Sequence, residues 1–389
     1  MFAIMVVMNY RYFDNAATTR VNPDVLQAYN EACNEFFNPS SLYTPSLSVK
    51  NRVEMARETI LRYLGAANKS TLIFTSCATE SNNAVLRNCI KRKDKKYIIS
   101  AGEHSSTYNT AKAMINEGYN IEFAPLNEDG TVNQDVLFSM IDNKTDFVSL
   151  IHVSNETGAI NDIKYIVKRC KQINPNILIH SDGVQALHKI KVNMVNLGVD
   201  FYTISAHKIN GVKGIGGLYV ANPQKFNPFV IGGGQEMNLR GGTENVPAIV
   251  SFAKAVSLPE CDYEAMRALK QTLLDNITVP YKLISTNKCV PNIISLCFKD
   301  VRGETLVHMM EEDGFLIGTG SACNSKNTAN RVLSEIGVSS DYILGAIRIS
   351  FEQDSTTQDV IDLANAINKN VQTYYTKTKK GDVVTGKYS

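Results

Sequence analysis

Between about residues 70 and 220, short apolar runs alternate with amphipathic stretches. Leu72–Thr75, Tyr97–Ser100, Ile121–Ala124, Phe147–His152, Ile177–His180, Phe201–Ser205 and Gly217–Val220 read as strands. Ala78–Cys89, Thr107–Asn116, Gln134–Ile141 and Ile163–Ile173 read as the helices between them. Strand–helix alternation predicts an α/β layered sheet. The strands are largely apolar rather than alternating, as in sheets covered on both faces. After Thr243 the pattern changes. One long helical stretch, Val246 to about Asn276, leads to strands near Lys282–Ser285 and Asn292–Phe298. A helix at Glu304–Glu312, a Gly-rich turn and a strand–helix pair over Ile347–Lys369 follow, which reads as a smaller α+β unit.

Composition narrows the function classes. The chain has 389 residues, 44% hydrophobic and 20% charged, with a net charge of +2. At that length two domains are expected, each with its own core. Near-neutral charge gives no electrostatic footprint for direct contact with nucleic acid or an anionic membrane, and Lys377–Lys380 reads as a solvated end. No run reaches the ~18 apolar residues of a membrane span. Met1–Met8 has neither a basic region nor a cleavage site, so the expectation is a soluble, cytoplasmic protein, with Met1 or Met8 as the start. The eight cysteines form no CxxC pair or zinc-like cluster. No disulfide framework or metal is expected, and most thiols should be small core residues.

Polar residues crowd at strand ends, where open α/β sheets bind ligands. Ser205-Ala206-His207-Lys208 closes an apolar strand and precedes a glycine-rich segment, Gly211 to Gly217. Desolvation there lowers a lysine's pKa and makes a neutral amine available to a carbonyl. Asp182 follows another strand, and a carboxylate so placed can keep a pyridinium nitrogen protonated while Gln185 donates to the ring's 3-oxygen. Thr75 to Ser81, which includes Cys77, Ala78 and Thr79, joins a strand to a helix, the setting for a phosphate. Cys323 lies in the small polar loop Gly318–Ser325, where a thiolate can be exposed. Each of these alone is commonplace: a surface lysine, a capping Asp, an N-cap, a loop cysteine.

Taken together and in this order, they resemble the cysteine desulfurases, the NifS/IscS-like members of the class V aminotransferase family. The resemblance runs from Tyr12 to about Asp359. It includes Tyr12-Phe13-Asp14-Asn15-Ala16-Ala17-Thr18-Thr19, Asn38-Pro39-Ser40-Ser41, Glu103-His104 and His152-Val153-Ser154-Asn155-Glu156. It continues through Gly232-Gly233-Gly234-Gln235-Glu236, Arg240-Gly241-Gly242-Thr243-Glu244-Asn245 and Ala346-Ile347-Arg348-Ile349-Ser350-Phe351.

The resemblance implies a pyridoxal 5′-phosphate (PLP) fold of type I. A large α/β domain with a mainly parallel sheet would span 15–250. A small α+β domain from 1–14 and 251–375 would carry the cysteine loop, with a flexible tail at 376–389. It also implies roles. Lys208 would carry the cofactor as an internal Schiff base and move protons. His104 would lie over the ring and assist acid–base steps. Asp182 would hold the ring nitrogen and Gln185 the 3-oxygen, while Ala78, Thr79, Ser205 and His207 would hold the phosphate. Thr243 would reach the phosphate of a neighbouring subunit, which implies a homodimer. Asn155 and Arg348 would hold the carboxylate of L-cysteine, Arg348 as a bidentate pair. Cys323 would attack the substrate sulfur and carry a persulfide to an acceptor protein, leaving L-alanine.

Some positions depart from the family. Cys77 stands where Gly is usual, which puts a second thiol near the phosphate loop. Tyr43 replaces His, Ser46 Gly, Asn324 Thr and Val212 Pro. The stretch from Cys323 to Val332-Leu333 is about one residue short, yet long like the NifS/IscS group and unlike the SufS-like one, which implies direct delivery of sulfur. A selenocysteine lyase or another class V aminotransferase is the alternative within PLP chemistry. A degenerate sulfur-relay scaffold would have lost Lys208 or Asp182, and both are present. The destination of the sulfur, whether iron–sulfur assembly or tRNA or cofactor thiolation, stays open.

Overall fold

The computed structural model describes residues 10–319 and 330–379. Cys323, Met1–Met8 and the tail beyond 379 lie outside the described residues. The centre is a seven-stranded sheet. In spatial order its strands are Thr71–Thr75, Gly216–Val220, Phe201–Ser205, Leu178–Asp182, Thr145–Ile151, Lys96–Ser100 and Asn120–Ala124. Four neighbouring pairs are parallel. Gly216–Val220 runs antiparallel between its two neighbours. All seven predicted strands are present, within two residues at each end. Their burial on both faces explains the absence of alternation.

Helices cover both faces. Pro23–Cys33, Thr44–Tyr63, Ile163–Ile173 and Val246–Val256 pack with one core cluster, and Ala78–Cys89 and Ser105–Asn116 with another. The first two were not anticipated from the sequence. They start at Asn22-Pro23-Asp24, where Asn22 caps Asp24 N–H, and at Tyr43-Thr44-Pro45, with proline in the first turn of each. The single helix expected over 246–276 is two, Val246–Val256 and Tyr263–Asn276. Pro259 has no N–H to donate and disfavours a helical residue before it, in keeping with a first helix that ends at Val256 with Ser257 as its C-cap.

A second sheet of four strands, ordered Gly318–Thr319, Ala346–Ser350, Ile293–Cys297 and Lys282–Leu283, is antiparallel throughout. Helices Tyr263–Asn276, Gly303–Glu312 and Thr357–Lys379 pack against it around Leu296, Phe298, Ile347 and Ile367. Arg11–Tyr12 pairs in parallel with Phe315–Leu316, so the start of the described chain joins this unit. Among the described residues no helix is long and apolar enough to cross a membrane. Cys170, Cys289 and Cys297 are buried as expected of core thiols, whereas Cys33 is exposed and Cys77, Cys89 and Cys261 are intermediate.

Candidate active site

The sheet's topology brings the candidate residues to one edge. Thr75, Gly216 and Ser205 stand in one row across three adjacent strands. Asp182 ends its strand beside Thr203 and Ile151. Because the flanking strands are parallel, the segments leaving Thr75, Ser100, Ile151, Asp182 and Ser205 all emerge at this edge, where open α/β sheets hold ligands. From them come Ala78 and Thr79, His104, Asn155, Gln185, and His207 with Lys208.

Lys208 closes the 3₁₀ turn Ala206–Lys208, immediately after the strand Phe201–Ser205. Its Nζ donates to the carbonyls of Ala16 and Ala17, at 2.5 and 2.6 Å. Burial lowers its pKa to about 7, helped by the cations Lys189 and Arg348 and opposed by Asp14 and Asp182. Burial, with Lys208 and Lys213 nearby, also lowers His207 to about 4. Its Nδ1 lies 3.2 Å from Thr18 Oγ1.

Asp182 is buried, with Oδ2 accepting from Asn82 Nδ2 at 2.8 Å and Oδ1 from the Val184 N–H at 3.0 Å. Gln185 donates from Nε2 to Ala16 O at 2.8 Å, and its Oε1 accepts from Lys189 Nζ at 3.0 Å. An ammonium can only donate, so Lys189 fixes which way the amide points and leaves one Nε2 hydrogen for a ligand. His104 caps the helix Ser105–Asn116 by accepting from the Ser106 N–H, and its surface is partly open to solvent.

The helix Ala78–Cys89 begins at Cys77 in an extended conformation with no side-chain cap. Its leading N–H groups therefore face the sheet edge with the positive end of the helix. Glu80 does not cap it. That carboxylate accepts from the Ser76 N–H and pairs with Arg240 at 2.9 Å. A Cβ on Gly216 would fall 2.8 Å from Cys77 C and 3.0 Å from Ala78 N, so the cradle needs glycine there. Thr79 is exposed. Thr243 is exposed too and lines a cavity of about 210 Å³ with Thr75, Ser76 and Gly214 of its own chain.

The smaller sheet supplies Arg348, which is buried. It donates from Nη1 to Asn155 O at 2.9 Å and pairs through Nη2 with Asp14 at 2.7 Å, while Nε has no partner among the described residues. A Cβ on Gly318 would fall 2.6 Å from Asp14 Oδ1, so the strand leading towards Cys323 leaves directly beside this ion pair. Arg331 stacks on Tyr108, 3.8 Å from the ring centroid, and donates to the Glu103 carbonyl next to His104.

The donor set fits a phosphorylated pyridine. The buried Ser205 hydroxyl has no partner among the described residues, and it lies in the same row as Thr75, which leads to the uncapped helix start, and the Gly216 cradle. A buried hydroxyl is rarely left so, and a phosphate oxygen would satisfy it. Asp182 and the free Gln185 hydrogen complete an acceptor and a donor for the ring. Residues 11–363 match the aminotransferase class-V family. The chain belongs to that family. It is 35% identical to a cysteine desulfurase of Nostoc sp., over 91% of this chain and 90% of that one. It is also 35% identical to cysteine desulfurase IscS 1 of Archaeoglobus fulgidus, over 90% and 94%. Among solved structures, a NifS-like protein superposes with a TM-score of 0.87 at 30% identity, covering 94% of this chain and 100% of that one. SspA in complex with cysteine gives 0.79 at 28%, covering 89% and 100%. These relatives fit the PLP type I architecture, a mostly parallel large sheet with a smaller unit.

Several residues of this class V site were not assigned roles from the sequence. Asn82 and Ser106 link Asp182 to His104, Lys189 orients Gln185, and Asp14 pairs with Arg348. Asp14 lay within a quoted motif, but its partner is 334 residues away in the chain. Asn82, Ser106 and Lys189 have ordinary helix or loop contexts with no pattern to single them out.

Proposed function

We propose that this protein is a PLP-dependent cysteine desulfurase that moves sulfur from L-cysteine to Cys323 and releases L-alanine. The observation that carries the reading is Lys208. A half-buried amine lowered to about 7 stands beside a phosphate-type cradle and the buried Asp182. Ala78, Thr79, Ser205 and His207 would hold the phosphate, and Asp182 and Gln185 the ring. Bound there, PLP would supply an aldehyde for amines and an electron-accepting ring.

The chain's own groups divide the remaining work. Lys208 Nζ, neutral in about half the molecules at pH 7, is the base that takes the substrate's α-proton. Arg348, through the Nε that has no partner among the described residues, and Asn155 would hold the substrate carboxylate. The Cys323 thiolate attacks the substrate sulfur, so that an S–S bond forms as the C–S bond breaks, and the carbon skeleton takes up a proton at Cβ and regains one at Cα to leave as alanine. Cys323 is four residues beyond Thr319, a span of at most about 14 Å, and Gly318 adjoins the Arg348–Asp14 pair. Sulfur then passes to an acceptor protein.

A homodimer with Thr243 completing the partner's phosphate site belongs to the same reading. Phe36, Leu42 and Ile231, exposed at 82%, 93% and 93%, favour a surface covered by a second copy. The test is alanine release from L-cysteine by wild type and Cys323→Ala. Loss of persulfide and of alanine release in the variant is expected. Equal turnover by both would overturn the assignment of Cys323.

A further inference from the structure

Four side chains from three segments form one hydrogen-bonded chain at the sheet edge. Asn82, on the helix Ala78–Cys89, donates from Nδ2 to Asp182 Oδ2 and to Ser106 Oγ, both at 2.8 Å. Ser106, in the first turn of its helix, places Oγ 2.8 Å and its backbone N–H 3.2 Å from His104 Nδ1.

The donor inventory settles where the protons are. Only the NH₂ end of Asn82 can donate to a carboxylate oxygen, which fixes the amide's orientation. Its two hydrogens go to Asp182 and to Ser106. Ser106 Oγ therefore receives a hydrogen from Asn82, and its own hydrogen is free to point at His104. Nδ1 then faces two donors, the Ser106 hydroxyl and the Ser106 N–H. It is the bare nitrogen, and the ring's proton sits on Nε2.

We propose that Asn82 and Ser106 are positioning residues that hold His104 as the neutral Nε2–H tautomer, making it a hydrogen-bond donor to the substrate rather than a base. The surroundings agree. Burial lowers the His104 pKa. Lys208, Arg331 and Arg348 add to the effect, Asp182 opposes it, and His207 also faces this imidazole. Proton abstraction falls to Lys208 alone. That consequence rests on the proposed desulfurase reading, whereas the tautomer does not.

The test is nitrogen NMR of ¹⁵N-histidine-labelled protein, with and without added PLP. There are six histidines, and the signal missing in His104→Gln identifies His104. The expected pattern is a protonated Nε2 and a bare Nδ1. In Ser106→Ala, His104 should titrate at higher pH than in wild type, because one donor to the bare nitrogen is lost. In Asn82→Leu the Ser106 hydroxyl becomes free to accept, and a fraction of the Nδ1–H form should appear. Ser106→Thr keeps a hydroxyl and should restore the wild-type titration. A protonated Nδ1 in wild type, or a His104 signal unchanged in both Ser106→Ala and Asn82→Leu, overturns the proposal. Asn82 is fully buried; should its variant not fold, the wild-type tautomer and the Ser106→Ala titration decide alone. Failure of the desulfurase reading would appear separately, as absence of alanine and persulfide from a wild type whose tautomer is as stated.

Discussion

Replacing Lys189 with methionine should make Lys208 harder to deprotonate. Lys189 donates to Gln185, Gln185 donates to Ala16 O, and Lys208 donates to that same carbonyl. With its pKa at about 7, Lys208 is neutral in about three quarters of molecules at pH 7.5, against about one in a thousand for an unperturbed lysine. Burial is the larger cause and Lys189 the next. Lys189, itself lowered to about 8 by burial, is still charged where Lys208 titrates. Lys189→Met removes that charge but leaves the burial, so the Lys208 midpoint should rise and stay below 10.5. Lys189→Arg should restore it. Asp14→Asn should move it the other way, because Asp14 favours the charged amine and also offsets Arg348. The assay is pH-dependent acylation of cofactor-free protein, with the Lys208 peptide quantified by mass spectrometry. A wild-type midpoint near 10.5, or a midpoint unmoved or lowered by Lys189→Met, would refute the electrostatic argument.

The remaining predictions concern the scaffold around the site. Arg57 and Glu236 form a buried bidentate pair at 2.7 and 2.9 Å, and Glu236 also accepts from the Phe74 N–H. Glu236→Gln should cost about 3 kcal/mol in urea unfolding, because Arg57 keeps a buried charge; replacing both by methionine should cost less than the sum of the two single changes. Burial raises Glu156 to about 7. Its folded form binds more protons than its unfolded form from pH 4.5 to 7, so its contribution to stability falls as pH rises through that window. Glu156→Gln should therefore match wild type near pH 4.5 and exceed it by roughly 3 kcal/mol at pH 8, measured by unfolding at both pH values. Gly216→Ala should weaken PLP binding at least tenfold by titration while leaving the fold intact, because the added methyl displaces the Cys77–Ala78 backbone.

Much of the fold was legible because buried parallel strands print as apolar runs and their turns carry polar residues. Lys208, Asp182 and the Thr75–Ser81 segment could be placed at strand ends for that reason. Strand order could not be read. Nothing in Gly216–Val220 tells that it enters antiparallel between Thr71–Thr75 and Phe201–Ser205, yet this arrangement aligns Ser205 with Thr75. The helices Pro23–Cys33 and Thr44–Tyr63 went unseen although proline marks both starts. The break at Pro259 was visible in the sequence but was overridden by apolar periodicity on either side. Contacts such as Arg348–Asp14 and the Asn82–Ser106 link depend on segments far apart in the chain, and hydrophobic pattern carries no information about them.

The central claim is that Lys208 and Cys323 act on one substrate. Its most direct test is peptide mass spectrometry of the PLP-loaded protein, alkylated after brief exposure to L-cysteine. The account predicts one additional sulfur on the Cys323 peptide of wild type and none in Lys208→Ala, with the other seven cysteines unchanged. Sulfur on Cys77 instead, or an unmodified Cys323 in protein that still releases alanine, would contradict it.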